Sequence, residues 1–305
     1  MQEPQPIDIA GFSRLAIRMA FLRTLARVVL VVLLGGLMAH TLIVFAPGYS
    51  ADERELDPGL TAATREAMLK EKSKDSSLFS SYAHFLGGLS RGDFGNSRSL
   101  GRPVRELLID RLPTTLATIG KAVVLGWLLG LSLALVCCFK TGSPIEAAGV
   151  MTSNLLLCLP AAVLALLLLI WVDSRTAAAV WVVALALTPR VFRYSYNLLR
   201  QSYDSPHILL ARAKGLGPVR ILFRHVLPPA VSQLIALAGV SVSLALSAAI
   251  PAEVILDVPG IGQLAWQAAL SRDLPLLVSL TFLVALVGTT ANAMSDHLVE
   301  QEAAA

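Results

Sequence analysis

Residues 208–230 read ILLARAKGLGPVRILFRHVLPPA, and what surrounds them decides what they are. The stretch carries Arg212, Lys214, Arg220, Arg224 and His225 without an acidic residue, between two apolar segments long enough to cross a bilayer. Such charge is expensive in hydrocarbon, so the stretch is a water-facing loop. Leu209, Leu210, Ala213 and Leu216 fall near helical spacing, and Gly215, Gly217 and Pro218 interrupt it. The pattern predicts two short amphipathic helices joined at a glycine turn. The first ends at Gly215, where a left-handed backbone calls for a residue without a side chain. A DNA-reading helix-turn-helix shares the glycine turn and the basic residues, but bilayer-length helices on both sides leave such a domain no room to depart.

Composition points to a membrane body. The 305 residues are 55% hydrophobic and only 15% charged, with a mean hydropathy of +0.67, too apolar for an ordinary soluble chain. The net charge of +4 sits in loops beside apolar runs, which is a matter of topology rather than of nucleic-acid binding. Cys137, Cys138 and Cys158 lie within apolar runs and lack C-x-x-C spacing, so they read as packing residues.

Working outward gives six spans in an all-α integral membrane protein. Residues 1–26 form an amino-terminal segment that starts polar and then carries Arg14, Arg18 and Arg23; 14–25 is either a surface amphipathic helix or unstructured. Residues 27–46 form a retained first span, too long for a signal core of about 7 to 15 residues. A polar extracytoplasmic loop follows over 47–112, with helical patterns at 61–74 and 80–89. The core, 113–294, holds spans at 116–139, 151–172, 177–194, 231–250 and 276–294, with a tail at 295–305. Pro160 is expected to kink the third span. Residues 194–203 continue the fourth helix into water. The fifth is rich in Ala, Ser and Gly, which suits close helix packing, and is a candidate for a dimer seam and pore. Counting from an inner amino terminus places both termini and the basic loop in the cytoplasm. There Arg190, Arg193, Arg200, Arg212, Lys214, Arg220 and Arg224 face the lone acid Asp204.

The order of several separate stretches then matches one pattern. A-R-A-K-G-L at 211–216 followed by I-L-F-R-H-V-L-P at 221–228 resembles the EAA-type loop of ABC importer permeases, in the form of the dipeptide and oligopeptide permease family. G-D-F-G-N-S at 92–97, P-V-R-E-L-L-I-D-R-L-P-T-T-L at 103–116, V-P-G-I-G-Q-L at 258–264 and R-D-L-P at 272–275 resemble that family's outer segments. The resemblance implies that 208–230 is the loop docking into a groove of an ATP-hydrolysing subunit, through Ala211, Arg212, Ala213, Lys214, Gly215, Leu216, Arg220, Arg224 and His225. It also implies a second homologous permease, two ATPase subunits holding ATP and Mg2+, and an extracytoplasmic binding protein delivering a di- or oligopeptide or another small solute such as nickel. The location implied is a bacterial inner membrane, and this chain would form half of the pathway. Lys121, Pro160, Glu253, Pro259, Gly260, Gly262 and Asp273 are candidates for the outer mouth or pore. Lys121 either snorkels to the interface or meets a substrate carboxylate. Pro160 is followed by Ala161 and Ala162 where the family has Ser and aromatic residues, and the family's closing D-P-R is missing after Asp296.

Other chemistries lack their residues. There is no G-x-x-x-x-G-K-[ST] to cradle a nucleotide, no H-E-x-x-H, and no G-x-S-x-G. His40, His84, His207, His225 and His297 are scattered, so no catalytic or metal site is expected. Gly260-Ile261-Gly262 mimics a dinucleotide turn but stands alone, without a βαβ context. The rival architecture is a self-sufficient secondary transporter or channel, which calls for paired charges or broken helices at mid-membrane. Only Lys121 fits. A non-transporting scaffold would not need the glycine turn.

Overall fold

The computed structural model describes residues 91–304, with side chains up to 295, together with residues 86–88 and scattered positions in 26–41. Much of the expected first span, the helical patterns at 14–25 and 61–74, and most of that at 80–89 lie outside the described residues. Within them the fold is helical, with a lone antiparallel bridge between Asn96 and Pro103. In chain order the helices are α1 (Val104–Phe139), α2 (Pro144–Cys158), α3 (Ala161–Trp171), α4 (Arg175–Tyr203), α5 (Pro206–Ala213), α6 (Pro218–Ile221), α7 (Leu227–Ile255), α8 (Ile261–Leu270) and α9 (Leu274–Ala304). A π-helical turn, Leu222–Val226, joins α6 to α7. Four helical stretches among the described residues are long and apolar enough to cross a membrane, and the bent pair α2–α3 is a fifth candidate.

Helix α4 is the axis of the bundle, touching α1, α2, α3 and α7. It can do so because its neighbours offer small residues. Ala122, Gly126, Gly130 and Ala134 repeat every fourth residue along α1 and all are buried. A methyl group at Gly130 would stand 2.8 Å from the Val191 Cβ and 2.9 Å from the Thr188 carbonyl oxygen. At Gly126 the nearest atoms belong to Leu187 and Ala184, so α1 and α4 run parallel in fixed register. On the other side of the bundle, Gly239 of α7 meets Ser295 and Ala291 of α9. The small face expected to pack on another helix thus finds a partner within this chain.

Three apolar clusters line up along α1. Val104, Leu107 and Leu108 join α8 and α9 at one end; Ile119 and Ala122 join α3, α4 and α7 in the middle. Ala134 and Cys137 join α4 and the residues of the 208–230 loop at the other end. We call these the far end, the middle and the elbow end.

Several expected boundaries move. Pro160 does not kink a continuous helix: Leu159 is extended (φ −90°, ψ 114°), Pro160 starts α3, and α2 and α3 meet at 102°. The residue before a proline is pushed out of the helical region, which is the local cause. The third span was expected from 151, but its helix starts at Pro144, because Ser143 caps α2 by accepting the Glu146 N–H and Pro144 suits the first helical position. The expected continuation of the fourth helix over 194–203 is present, and α4 runs through Pro189 to Tyr203. Around it, the Thr188 hydroxyl donates to the Ala184 carbonyl and the Arg190 guanidinium to that of Ala186. The second of the two expected short helices is a four-residue turn that merges through the π turn into α7. Pro228 and Pro229 lack N–H groups for the carbonyls four residues back, and the ladder widens there, with Leu227 N–H bonded to Leu222 O.

Candidate functional site

The elbow, residues 206–226, is two-faced. Ile208, Ala211, Ile221, Leu222 and Val226 are buried against Phe192, Tyr196 and Leu199 of α4 and Ala134 and Cys137 of α1, with Leu216 packed on the same cluster. Between its two helical pieces, Gly215 has φ +74°. The Gly215 N–H bonds the Arg212 carbonyl at 2.9 Å and the Leu216 N–H bonds that of Ala211 at 3.3 Å, a Schellman turn. The glycine expected to be left-handed is so. On the outer face Arg212, Ala213, Lys214, Arg220 and Arg224 are exposed, interleaved with Leu209, Leu210 and Val219, and with Phe223, 67% exposed. Val219, Arg220, Phe223, Arg224 and Pro228 line a shallow depression. His225 is half-buried. The Arg212 guanidinium stands 6.0 Å from the Tyr203 ring centre, tying α5 to the end of α4.

A clasp beside the elbow was not foreseen. Glu146, on the first turn of α2, accepts hydrogen bonds from the Tyr196 hydroxyl, the Gly142 N–H and the Arg200 guanidinium, the last at 2.8 Å. Tyr196 in turn stacks on Phe192 with centroids 5.6 Å apart. The turn after α1 is thereby strapped to the stretch of α4 on which the elbow rests. An acid in a basic region was the available signal, but its side-chain partners Tyr196 and Arg200 lie 50 and 54 residues away in the chain.

The far-end candidates come together, and they face inward. Glu253 is fully buried. Its carboxylate accepts from the Thr115 hydroxyl at 2.7 Å, from the Gly262 N–H at 2.7 Å and from the Gln263 N–H. Thr115 also accepts the Ile261 N–H at 2.8 Å, so α7 and α1 together cap α8. Gly260 and Gly262 are explained by this cap. A methyl group at Gly260 would lie 2.3 Å from the Glu253 carboxyl carbon, and one at Gly262 would lie 2.7 Å from the Ile250 Cα. Pro259, just before them, is exposed. Asp273, also buried, accepts from the Ser97 hydroxyl at 2.6 Å and from the Ser99 N–H at 2.9 Å, and caps α9 through the Leu276 N–H. The two outer motifs at 92–97 and 272–275 are thus stitched to each other. Arg175 pairs with Asp257 at 2.9 Å, Asp257 accepts from Gln263, and Gln263 accepts from Arg111 at 3.0 Å, a chain across the same end. Within this chain Glu253 and Asp273 therefore staple helices together.

Lys121 stands on an exposed strip of α1 with Leu116, Val124 and Leu128 and has no carboxylate partner among the described residues. Pro160 marks the α2–α3 break. Neither joins the elbow or the far-end staples. Thr115 and the Gly126–Gly130 pair carry structural roles that the sequence reading passed over; the four-residue spacing of the glycines was visible, whereas nothing marks Thr115 until α8 lies against it. Among the described residues no three His, Cys, Asp or Glu side chains gather as a metal site requires.

Comparisons with known proteins converge. A family model described as "Binding-protein-dependent transport system inner membrane component" matches residues 122–301. Among curated proteins, the oligopeptide transport system permease protein AppB of Bacillus subtilis is 25% identical over 268 residues, 80% of this chain and 85% of that protein. The dipeptide transport system permease protein DppB of Lactococcus lactis is 24% identical over 246 residues, 76% of this chain and 81% of that protein. Among solved structures, a chain of the inward-facing MetNI methionine ABC transporter superposes with a TM-score of 0.58 at 18% identity, covering 64% of this chain and 96% of that one. The last shows likeness of fold.

Proposed function

Since the chain belongs to the binding-protein-dependent transport system inner membrane components and is a permease subunit of an ABC importer, we propose that its elbow is the surface through which ATPase subunits drive it, and that its cargo is a di- or oligopeptide. The observation that carries the first part is the two-faced elbow. A buried side locks it to α4 and α1, and a Schellman turn at Gly215 fixes its shape, while the free side offers four cations and the bulky Phe223. Separated apolar knobs ringed by charge are what a docking groove grips. The cargo class is supported by the relatives' names and by the segments at 92–97, 258–264 and 272–275.

In the working assembly this chain forms half of the pathway beside a second homologous permease. Two ATPase subunits bind ATP and Mg2+ and press on the elbow, and an extracytoplasmic binding protein delivers cargo to the far end. The elbow side is cytoplasmic, as its excess of Arg and Lys demands, and both termini lie there. ATPase closure moves the elbow as one rigid piece and tilts α4 and α7 with it.

Gly215→Asp tests this. A side chain at φ +74° costs about 1 to 2 kcal/mol locally, and Asp also places a negative charge among the cations offered to the partner. The variant should insert and co-purify with the permease pair, while peptide uptake per ATP hydrolysed falls by about tenfold. Uptake of a labelled tripeptide pool at the parent rate by cells carrying Gly215→Asp would remove the elbow from the coupling path.

A further inference from the structure

Arg190, Arg193, Tyr194, Asn197 and Gln201 recur at helical spacing along α4 and are all exposed, while Val191, Phe192, Ser195, Tyr196, Leu198 and Leu199 between them are buried. Much of the rest of this helix is covered by α1, α2, α3 and α7, with Trp181 exposed on another face. The stripe stops at Arg190, since Ala186, Leu187, Thr188 and Pro189 are buried on the far-end side of it. Toward the elbow it stays open.

Register fixes its depth. Gly130 of α1 lies against Thr188 and Val191, hence level with Arg190. From there α1 continues to Phe139 without a charged residue, roughly 14 Å at the helical rise, and it exposes Val136 and Phe139. At one depth, then, α1 turns an apolar surface outward and α4 a polar one. Hydrocarbon suits the first and not the second, because an arginine at a lipid-facing site costs about 2.5 to 3.5 kcal/mol. Among the described residues neither Arg190 nor Arg193 pairs with a carboxylate. The Arg190 guanidinium donates to the Ala186 carbonyl of its own helix. No acid interrupts the stripe between Arg190 and Gln201.

Resting on the reading of this chain as half of a solute pathway, we infer that the stripe walls a water-filled half-channel open on the elbow side, and that Arg190 and Arg193 at its blind end hold the carboxylate of an anionic solute, such as the carboxyl terminus of a peptide. A guanidinium presents paired donors matched to a carboxylate. Low-dielectric walls on either side strengthen the attraction. The rival occupant is the second permease subunit, packed directly over the stripe.

Thiol accessibility in the complete importer in proteoliposomes separates the two. Tyr194→Cys and Asn197→Cys chains are exposed, from the ATPase side, to an anionic sulfonatoethyl and a cationic trimethylammonioethyl methanethiosulfonate. This is done with and without ATP, the native Cys137, Cys138 and Cys158 are kept, and the parent chain's labelling is subtracted. Both positions should label, with the anionic reagent favoured by about tenfold or more over its intrinsic rate ratio. That preference should vanish with Arg190→Gln and Arg193→Gln while labelling persists, and Val124→Cys on the apolar face of α1 should stay unlabelled. No labelling at Tyr194→Cys or Asn197→Cys in either nucleotide state means that the partner covers the stripe and overturns the inference. Labelling without charge preference overturns it too. Failure of the underlying reading would look different: a chain that does not co-purify with ATPase subunits, seen before any reagent is added.

Discussion

At the scale of single residues, Glu253 shows why a charge in an apolar protein need not be a substrate contact. Its carboxylate answers the N–H groups that open α8 and so replaces the water they would otherwise need. Glu253→Leu keeps the volume and removes the acceptor, and should cost at least about 2 kcal/mol, read as a fall in the detergent melting temperature of the permease. Glu253→Gln retains an acceptor and should fall between the two. Equal melting of the Leu variant and the parent would deny the cap its role. Arg272 offers a gain: it sits at φ +52° closing α8, with the Asp273 N–H bonded to the Ala268 carbonyl. Arg272→Gly should stabilise by about 1 kcal/mol, visible in the same melting assay. The stretch 253–264 marks Glu253, Gly260 and Gly262 as candidates from sequence alone. It does not tell which way a side chain turns, because that depends on Thr115, more than a hundred positions earlier.

At the scale of elements, the apolar runs were legible and their joints were not. Spans beginning near 116, 177, 231 and 276 correspond to α1, α4, α7 and α9, since 20 apolar residues have few other uses. The left-handed Gly215 was legible for a similar reason: a glycine after a short helix and before Gly217-Pro218 allows little else. Prolines were harder. Pro160 breaks the chain by 102°, whereas Pro189 passes through a helix enclosed on most sides, and local sequence cannot rank those surroundings. The α1–α4 contact gives a test with its own control. A methyl at Gly130 meets Val191 and the Thr188 backbone, but one at Gly120 meets nothing within 4 Å. Gly130→Ala should therefore lower the melting temperature, by the equivalent of about 1 to 3 kcal/mol of overpacking. Gly120→Ala should hold or raise it through better helix propensity. Equal effects would mean that the two helices are not in close contact.

At the scale of the whole molecule, the ionic and carboxylate contacts named above are sorted by end. Glu146, Tyr196, Arg200 and the elbow occupy one; Glu253, Asp273, Arg175 and Asp257 occupy the other; the middle holds the large apolar cluster, crossed by neutral hydrogen bonds such as Trp127 to Ser241. Reconstituted without ATP-hydrolysing subunits, the chain should sustain no solute flux, since nothing would press on the elbow; steady flux of a labelled tripeptide from the chain alone would make it a self-sufficient carrier instead. From Pro218 to Ile255 the π turn leaves one helical stretch of 38 residues. Arg220 and Glu253 are thus the two tips of a single strut roughly 50 Å long, and Glu253 grips the start of α8. On the coupling proposed above, a crank turned at one tip would be felt at the other through the helix itself, so that exposing one side of the barrier and sealing the opposite side would become a single stroke.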